Sequence, residues 1–194
     1  MNEPLIFELE IGEAWTEVSV VSFVDRPAIE RDFFKFRGEN PFRFSKSEAL
    51  RIVTGPVLIP DLVIHRKIEN TLFNVVFRAD QVSLAYEKFV SSGSFNSTNI
   101  LHSSDLPASD MSFMYETFLT DKARGIMAPK GFEDLPDKTW FMSYKITGDA
   151  LWKEIELGNI RGFSIEGRFK MKPIGDLDID QEIAELEELI RKNS

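Results

Sequence analysis

Cysteine is absent from the 194-residue chain, which removes a disulfide framework, a thiol nucleophile and any thiolate metal site. Histidine is scarce: His65 and His102 are the two imidazoles. They stand far apart and in no H-E-x-x-H or comparable spacing, so neither a metal nor another cofactor is expected. Basic charge is also short, with 23 Lys and Arg against 32 Asp and Glu and a formal net charge of −9. That balance argues against nucleic acid as a partner. No apolar stretch approaches the ~20 residues that a membrane-crossing helix needs. The start, MNEPLIFELEIG, alternates like a strand instead of placing a basic stretch before an apolar one, as a secretory leader would. No P-loop or G-x-G-x-x-G follows a strand pattern. The expectation is a soluble intracellular protein that engages neither membrane nor nucleic acid.

What is present is aromatic and strand-like. Seventeen phenylalanines imply a large aromatic core. Leu5, Phe7, Leu9 and Ile11 alternate as a first strand, and VSVVSFV, Val18 to Val24, is apolar enough for a strand buried on both sides. Arg31 to Phe44 holds two aromatic-rich segments around a turn at Gly38–Pro41. Leu50 to Ile64 reads as short β pieces broken at Gly55-Pro56 and Pro60-Asp61, suited to bent edge strands or barrel corners. Further strands are expected at 72–77, 111–119 and 139–146. A helix from an Asp80 N-cap to Val90 should bury Val82, Ala85 and Phe89, and Ser91 to Asn99 reads as a loop. A second helix from Asp149 to Leu157 should bury Leu151, Trp152 and Ile155 and end at Gly158-Asn159.

Many short strands without βα alternation predict an α+β domain over residues 1–173: a mostly antiparallel β-barrel flanked by a few helices. Residues 174–194 differ. Asp176 to Ser194 carries seven acidic and two basic residues, and Ile179, Ile183, Leu186 and Ile190 make an apolar seam. The expectation there is an acidic amphipathic helix that docks elsewhere.

The chemistry centres on IRGFSIEGRF, Ile160 to Phe169. With a period of two, Phe163, Ile165 and Phe169 point one way, and Gly162, Ser164, Glu166 and Arg168 the other. Gly162 and Gly167 leave the backbone open to close approach. G-F-S-I-E-G misses the G-x-S-x-G elbow by one residue and runs into a strand, which excludes an α/β-hydrolase. Ser164 is either a cross-strand polar residue or a nucleophile, and a nucleophile needs a base. His102, just beyond the short apolar stretch Asn99-Ile100-Leu101, is the candidate; His65 reads as a strand-end or surface residue. Glu116, between Met114 and Phe118 on one strand face, requires a partner. The His102 imidazole or a structural Arg or Lys could serve.

In order along the chain, the segments VSFVDRPAIERDF, RIVTGPVLIPDLVIHR, NILH, ETFL, DLPDKTWFMSYKI and LWKEIELGNIRGFSIEGRF span residues 18–170. Taken together they resemble the prohead (capsid maturation) proteases of tailed bacteriophages, of the XkdF-like serine protease type. The resemblance implies a herpesvirus-assemblin-like β-barrel, with Ser164 as nucleophile and His102 as base on neighbouring strands. Herpesvirus relatives use a second histidine after the serine, and none follows Ser164 here. A carboxylate takes that place in the phage members, for which Glu116 is the candidate and Glu166 the fallback. The region around Gly162, Ile165, Glu166 and Gly167 would contact substrate and the oxyanion. The implied function is a self-processing serine endopeptidase acting on scaffolding protein and the major capsid protein. Its setting would be the prohead interior in the host bacterial cytoplasm, as a homodimer or higher assembly. The alternative is a catalytically silent core protein of the phage head with the same fold.

Overall fold

The structure is a computed structural model that describes residues 5–11, 18–25, 45–47, 50–68, 71–167 and 169–174. The aromatic segments of 31–44, Arg168 and the acidic C-terminal helix expected within 174–194 lie outside the described residues, Ile174 apart. Strands and helices follow in the order β1 (Leu5–Glu10), β2 (Val18–Val24), β3 (Ser45–Ser47), β4 (Ile52–Leu58), β5 (Ile64–Ile68), β6 (Thr71–Val76), α1 (Ala79–Ser92), β7 (Thr98–Ile100), β8 (Ser103–Pro107), β9 (Ser112–Leu119), β10 (Trp140–Ile146), α2 (Asp149–Glu156), β11 (Gly162–Gly167) and β12 (Lys170–Pro173). The class is mixed α+β, mostly sheet, with two helices among the described residues. No described helix is long and apolar enough to cross a membrane.

Among the described residues the strands form three four-stranded sheets, ordered β12-β1-β6-β5, β3-β4-β10-β9 and β11-β2-β7-β8. Pairing is antiparallel except for β1 with β6 and β2 with β7. The expected barrel is not formed. Closure requires every strand to pair on both sides, and β12, β5, β3, β9, β11 and β8 each pair on one side among the described residues. The expected break at Gly55-Pro56 is also absent, because β4 runs through it. The short β3 pairs only with Ile52 to Thr54, so Pro56 has no ladder partner to lose on that side. On the β10 side Val57 is bulged out between the Trp140 and Phe141 pairings.

Helix α1 begins one residue before the expected cap. Arg78 occupies the N-cap position, and Asp80 sits in the first turn, where a carboxylate still complements the helix dipole. The expected loop 91–99 is shortened at both ends by the helix and by β7. Val82, Ala85 and Phe89 are buried as the helical spacing requires, and Phe89 packs on Trp140 with ring centroids 5.2 Å apart. Helix α2 buries Leu151, Trp152 and Ile155. A core joins the sheets through the rings of Phe23, Tyr144 and Phe163, which lie 5.3 to 5.5 Å apart pairwise.

Gly148, the residue before α2, sits hard against Met111, the residue before β9. A Cβ there would lie 2.6 Å from Met111 Cγ and 2.7 Å from its Cβ. Gly148→Ala is therefore expected to destabilise the fold by about 1–3 kcal/mol through overpacking, read as a lowered urea midpoint with an unchanged slope.

Candidate active site

Four of the five groups at the site are set by strand pairing. Ser164 on β11 lies directly opposite Ser22 on β2, and Ser22 is paired in register with Asn99 on β7. Residues opposite one another in a sheet share a face, so Ser164, Ser22 and Asn99 form a polar row across three strands. The neighbouring pair Phe163 and Phe23 turns to the other face and packs edge-to-face in the core. Glu166, two residues past Ser164, returns to the polar face.

The fifth group, His102, comes from the turn between β7 and β8. Ile100 pairs with Ser103, leaving Leu101 and His102 as a two-residue hairpin loop with φ of 55° and 57°. Two successive positive φ values are the type I′ signature, normally filled by Asn and Gly. Left-handed backbone costs a residue with a Cβ roughly 1–2 kcal/mol. The turn is held by the Leu101 N–H, which donates to Phe23 O at 2.9 Å, tying it to the strand that carries Ser22. Strain held in place by tertiary bonds is characteristic of functional positions.

Ser22, Asn99 and His102 converge on one carboxylate oxygen. Glu166 Oε1 lies 2.7 Å from Ser22 Oγ, 2.9 Å from Asn99 Nδ2 and 3.1 Å from His102 Nδ1. Ser22 Oγ is also 2.6 Å from Asn99 Oδ1 and 3.1 Å from His102 Nδ1. The Ser22 hydroxyl has one proton, so it serves Asn99 or Glu166 at any moment, while its lone pairs can accept from His102. Burial pushes the Glu166 carboxyl up, but the hydrogen bonds from Ser22, Asn99 and His102 outweigh it and hold the group below its ordinary value. An ionised carboxylate only accepts, so the proton between it and His102 belongs on Nδ1. Nε2 of the neutral ring is then an acceptor. The side chain is 44% exposed.

Ser164 itself is 8% exposed, and its hydroxyl makes no side-chain hydrogen bond among the described residues. The ladder fixes its backbone. Val21 N–H donates to Ser97 O and Phe23 O accepts from Leu101 N–H, so those residues face β7; Val24 O accepts from Arg161 N–H on the other side. By alternation Ser22 and Ser164 exchange their backbone bonds with each other. The N–H of Ile165 points away from β2, and no described strand pairs with β11 on that side. Ile165 N–H, next after the serine, is thus uncommitted to the ladder. Ser19 of β2 is bulged out between the pairings of Glu166 and Gly167, and Gly162 is buried opposite Val24.

The structure therefore brings Ser164, His102 and Glu166 to one sheet face. It does not join Ser164 to His102 directly: Ser22 stands between them and takes the hydrogen bond. Glu116 is elsewhere. It lies exposed on β9 in another sheet and accepts from Ser143 Oγ at 3.2 Å, so the carboxylate on His102 is Glu166. His65 pairs across β5 and β6 with Asn74, Nδ1 to Oδ1 2.6 Å. Sequence reasoning passed over Ser22 and Asn99. The signal for Ser22 was a hydroxyl inside an apolar run, which Ser19 gives equally and a fully buried strand also produces. Among the described residues no His, Asp and Glu cluster is arranged to hold a metal ion. No protein-family profile, curated protein or solved structure matches the chain.

Proposed function

We propose that the chain is a serine endopeptidase in which Ser164 is the nucleophile, His102 the general base and Glu166 the carboxylate that orients the base. One observation carries this reading: His102 is fixed through Nδ1 to an ionised carboxylate, with Nε2 left to accept a proton, on the sheet face that bears Ser164. This is the wiring that acyl transfer by a serine requires.

In the reaction, Ser164 Oγ attacks the scissile carbonyl carbon as His102 Nε2 takes its proton. Such a step typically contributes about 10²–10⁴-fold. Glu166 stabilises the imidazolium that results. The oxyanion takes a hydrogen bond from Ile165 N–H; such a donor is worth about 3–4 kcal/mol. The imidazolium then protonates the leaving amine, and water repeats the sequence to free the acid. The His102 ring, now against Ser22, shifts toward Ser164 when substrate binds; catalytic hydrogen bonds are often loose in the free enzyme and tighten in the complex.

The substrates and setting follow from the resemblance to phage prohead proteases and the assemblin-like arrangement it implies. They are scaffolding protein and the scaffolding segment of the major capsid protein, cut within the assembling head. A second reading, a silent head protein with the same arrangement, is favoured by one feature, the interposed Ser22. Mass spectrometry of head proteins from wild-type and Ser164→Ala phage separates the two. The protease reading expects trimmed capsid protein and lost scaffold in the wild type only. Full trimming in the Ser164→Ala phage would overturn it, and intact partners with normal heads from both would favour the silent protein.

A further inference from the structure

A second feature lies outside this site, at the outer edge of β9. We propose that this edge docks an extended peptide from a partner protein and that Glu116 receives a lysine or arginine side chain of that peptide. The proposal does not rest on the protease reading.

Strand β9 ends its sheet, paired with β10 alone among the described residues. Beside it lies a cavity of about 420 Å³, lined by Phe95, Asn96 and the consecutive residues Phe113 to Thr117. Five successive residues on one wall mean that the cavity runs along the strand's backbone, not over one face of it. A row of unpaired N–H and C=O groups bordering an open slot is the template used when a peptide adds a strand to a sheet.

Lysine and proline are among the devices that blunt edge strands. The eight residues of β9, SFMYETFL, contain neither. Phe113 is 46% and Tyr115 55% exposed, so apolar surface is presented alongside the open backbone. The strand carries a bulge: Ser143 faces Glu116 but Tyr144 faces Met114, leaving Tyr115 as the extra residue. Bulges re-aim side chains, and this one adjoins the strand's single charge. Glu116 is held by Ser143 Oγ at 3.2 Å, and Ser143 is itself 2.8 Å from Thr54 Oγ1. No cation among the described residues pairs with it. A carboxylate anchored beside exposed aromatic rings matches an ammonium or guanidinium in both charge and cation–π attraction.

Charge also decides between occupants. A second copy would bring the same acidic charge to the edge, since Glu116 is the one charged residue of β9 and the chain carries a net charge of −9, so two copies repel. A basic partner segment removes that repulsion and complements a chain of net charge −9.

The test uses the full chain in a Ser164→Ala background, so that no peptide is consumed and binding is read independently of cleavage. Acetyl-Thr-Val-Arg-Val-Thr-Val-amide and its Gln-for-Arg counterpart are titrated into isotopically labelled protein. The arginine peptide is expected to shift the amides of Phe113 to Thr117 and to bind about ten-fold more tightly than the glutamine peptide. Glu116→Gln, a solvent-exposed and isosteric change, should reduce that preference to about two-fold or less with the fold unchanged. Equal binding of the two peptides, a preference that survives Glu116→Gln, or no β9 shifts at all would overturn the proposal. So would β9 shifts that depend on protein concentration and not on peptide, which would assign the edge to a second copy.

Discussion

Glu166→Gln is expected to lower kcat/KM for peptide hydrolysis by about 10³–10⁴-fold, the size of effect seen when a triad carboxylate elsewhere is made an amide. Glutamine keeps the shape of the side chain but not its charge. An amide can donate to Nδ1, which moves the ring proton to Nε2, the nitrogen that must accept from Ser164. It also leaves the developing imidazolium without a counter-charge. Glu116→Gln should leave the same rate within about two-fold, because its hydrogen-bonding partner is Ser143 on another sheet. The pair of variants thus separates the two carboxylates that spacing alone could not. A pH signature accompanies the first. Glu166 is held below its ordinary value, so the unfolded chain takes up protons there before the folded one does. The stability it contributes is present above the unfolded carboxyl value and is lost as pH falls through the lower folded one. The difference in urea midpoint between wild type and Glu166→Gln should therefore be largest near neutrality and shrink on acidification.

The separate fates of Glu116 and Glu166 show where the sequence is legible. Alternation correctly assigned Ser164 and Glu166 to one face and Phe163 to the other, because strand period is a local property. Helical spacing found the buried stripes of both helices for the same reason. Pairing is not local. Glu116 shares a period-two face with Met114 and Phe118 and so looks buried, but β9 is an edge strand and a bulge at Tyr115 disrupts its alternation. The His102–Glu166 contact joins residues 64 apart, and nothing in either segment announces the other. Ser22 and Asn99 become visible only once β2 is known to lie between β11 and β7. Barrel closure failed as an expectation on the same ground, since the number of strands in a chain does not say which of them find neighbours.

The second large effect concerns what keeps that face in register. Phe163→Ala is expected to cost about 3–5 kcal/mol, a large share of the roughly 5–15 kcal/mol that stabilises a typical domain. Phe163 is fully buried, with its ring 5.5 Å from Phe23 and 5.4 Å from Tyr144. Burial pushes the Tyr144 phenol well above its ordinary value, so that ring stays neutral, and its hydroxyl donates to Phe95 O. The cluster joins β11 and β2 of one sheet to β10 of another. It also selects the pairing of Phe163 with Phe23, and with it the pairing of Ser164 with Ser22. A slip of one residue would turn Ser164 into the core and Phe163 onto the polar face. Phe163→Leu, which keeps most of the volume, should cost about 1.5 kcal/mol or less and retain hydrolysis. In Phe163→Ala, hydrogen exchange at the Ser164 and Glu166 amides should accelerate along with the fall in urea midpoint. If those amides stayed as protected as in the wild type while stability fell, the ring cluster would be holding the sheets together without setting the register of the site. The polar row would then owe its alignment to the Ser22, Asn99, His102 and Glu166 hydrogen bonds alone.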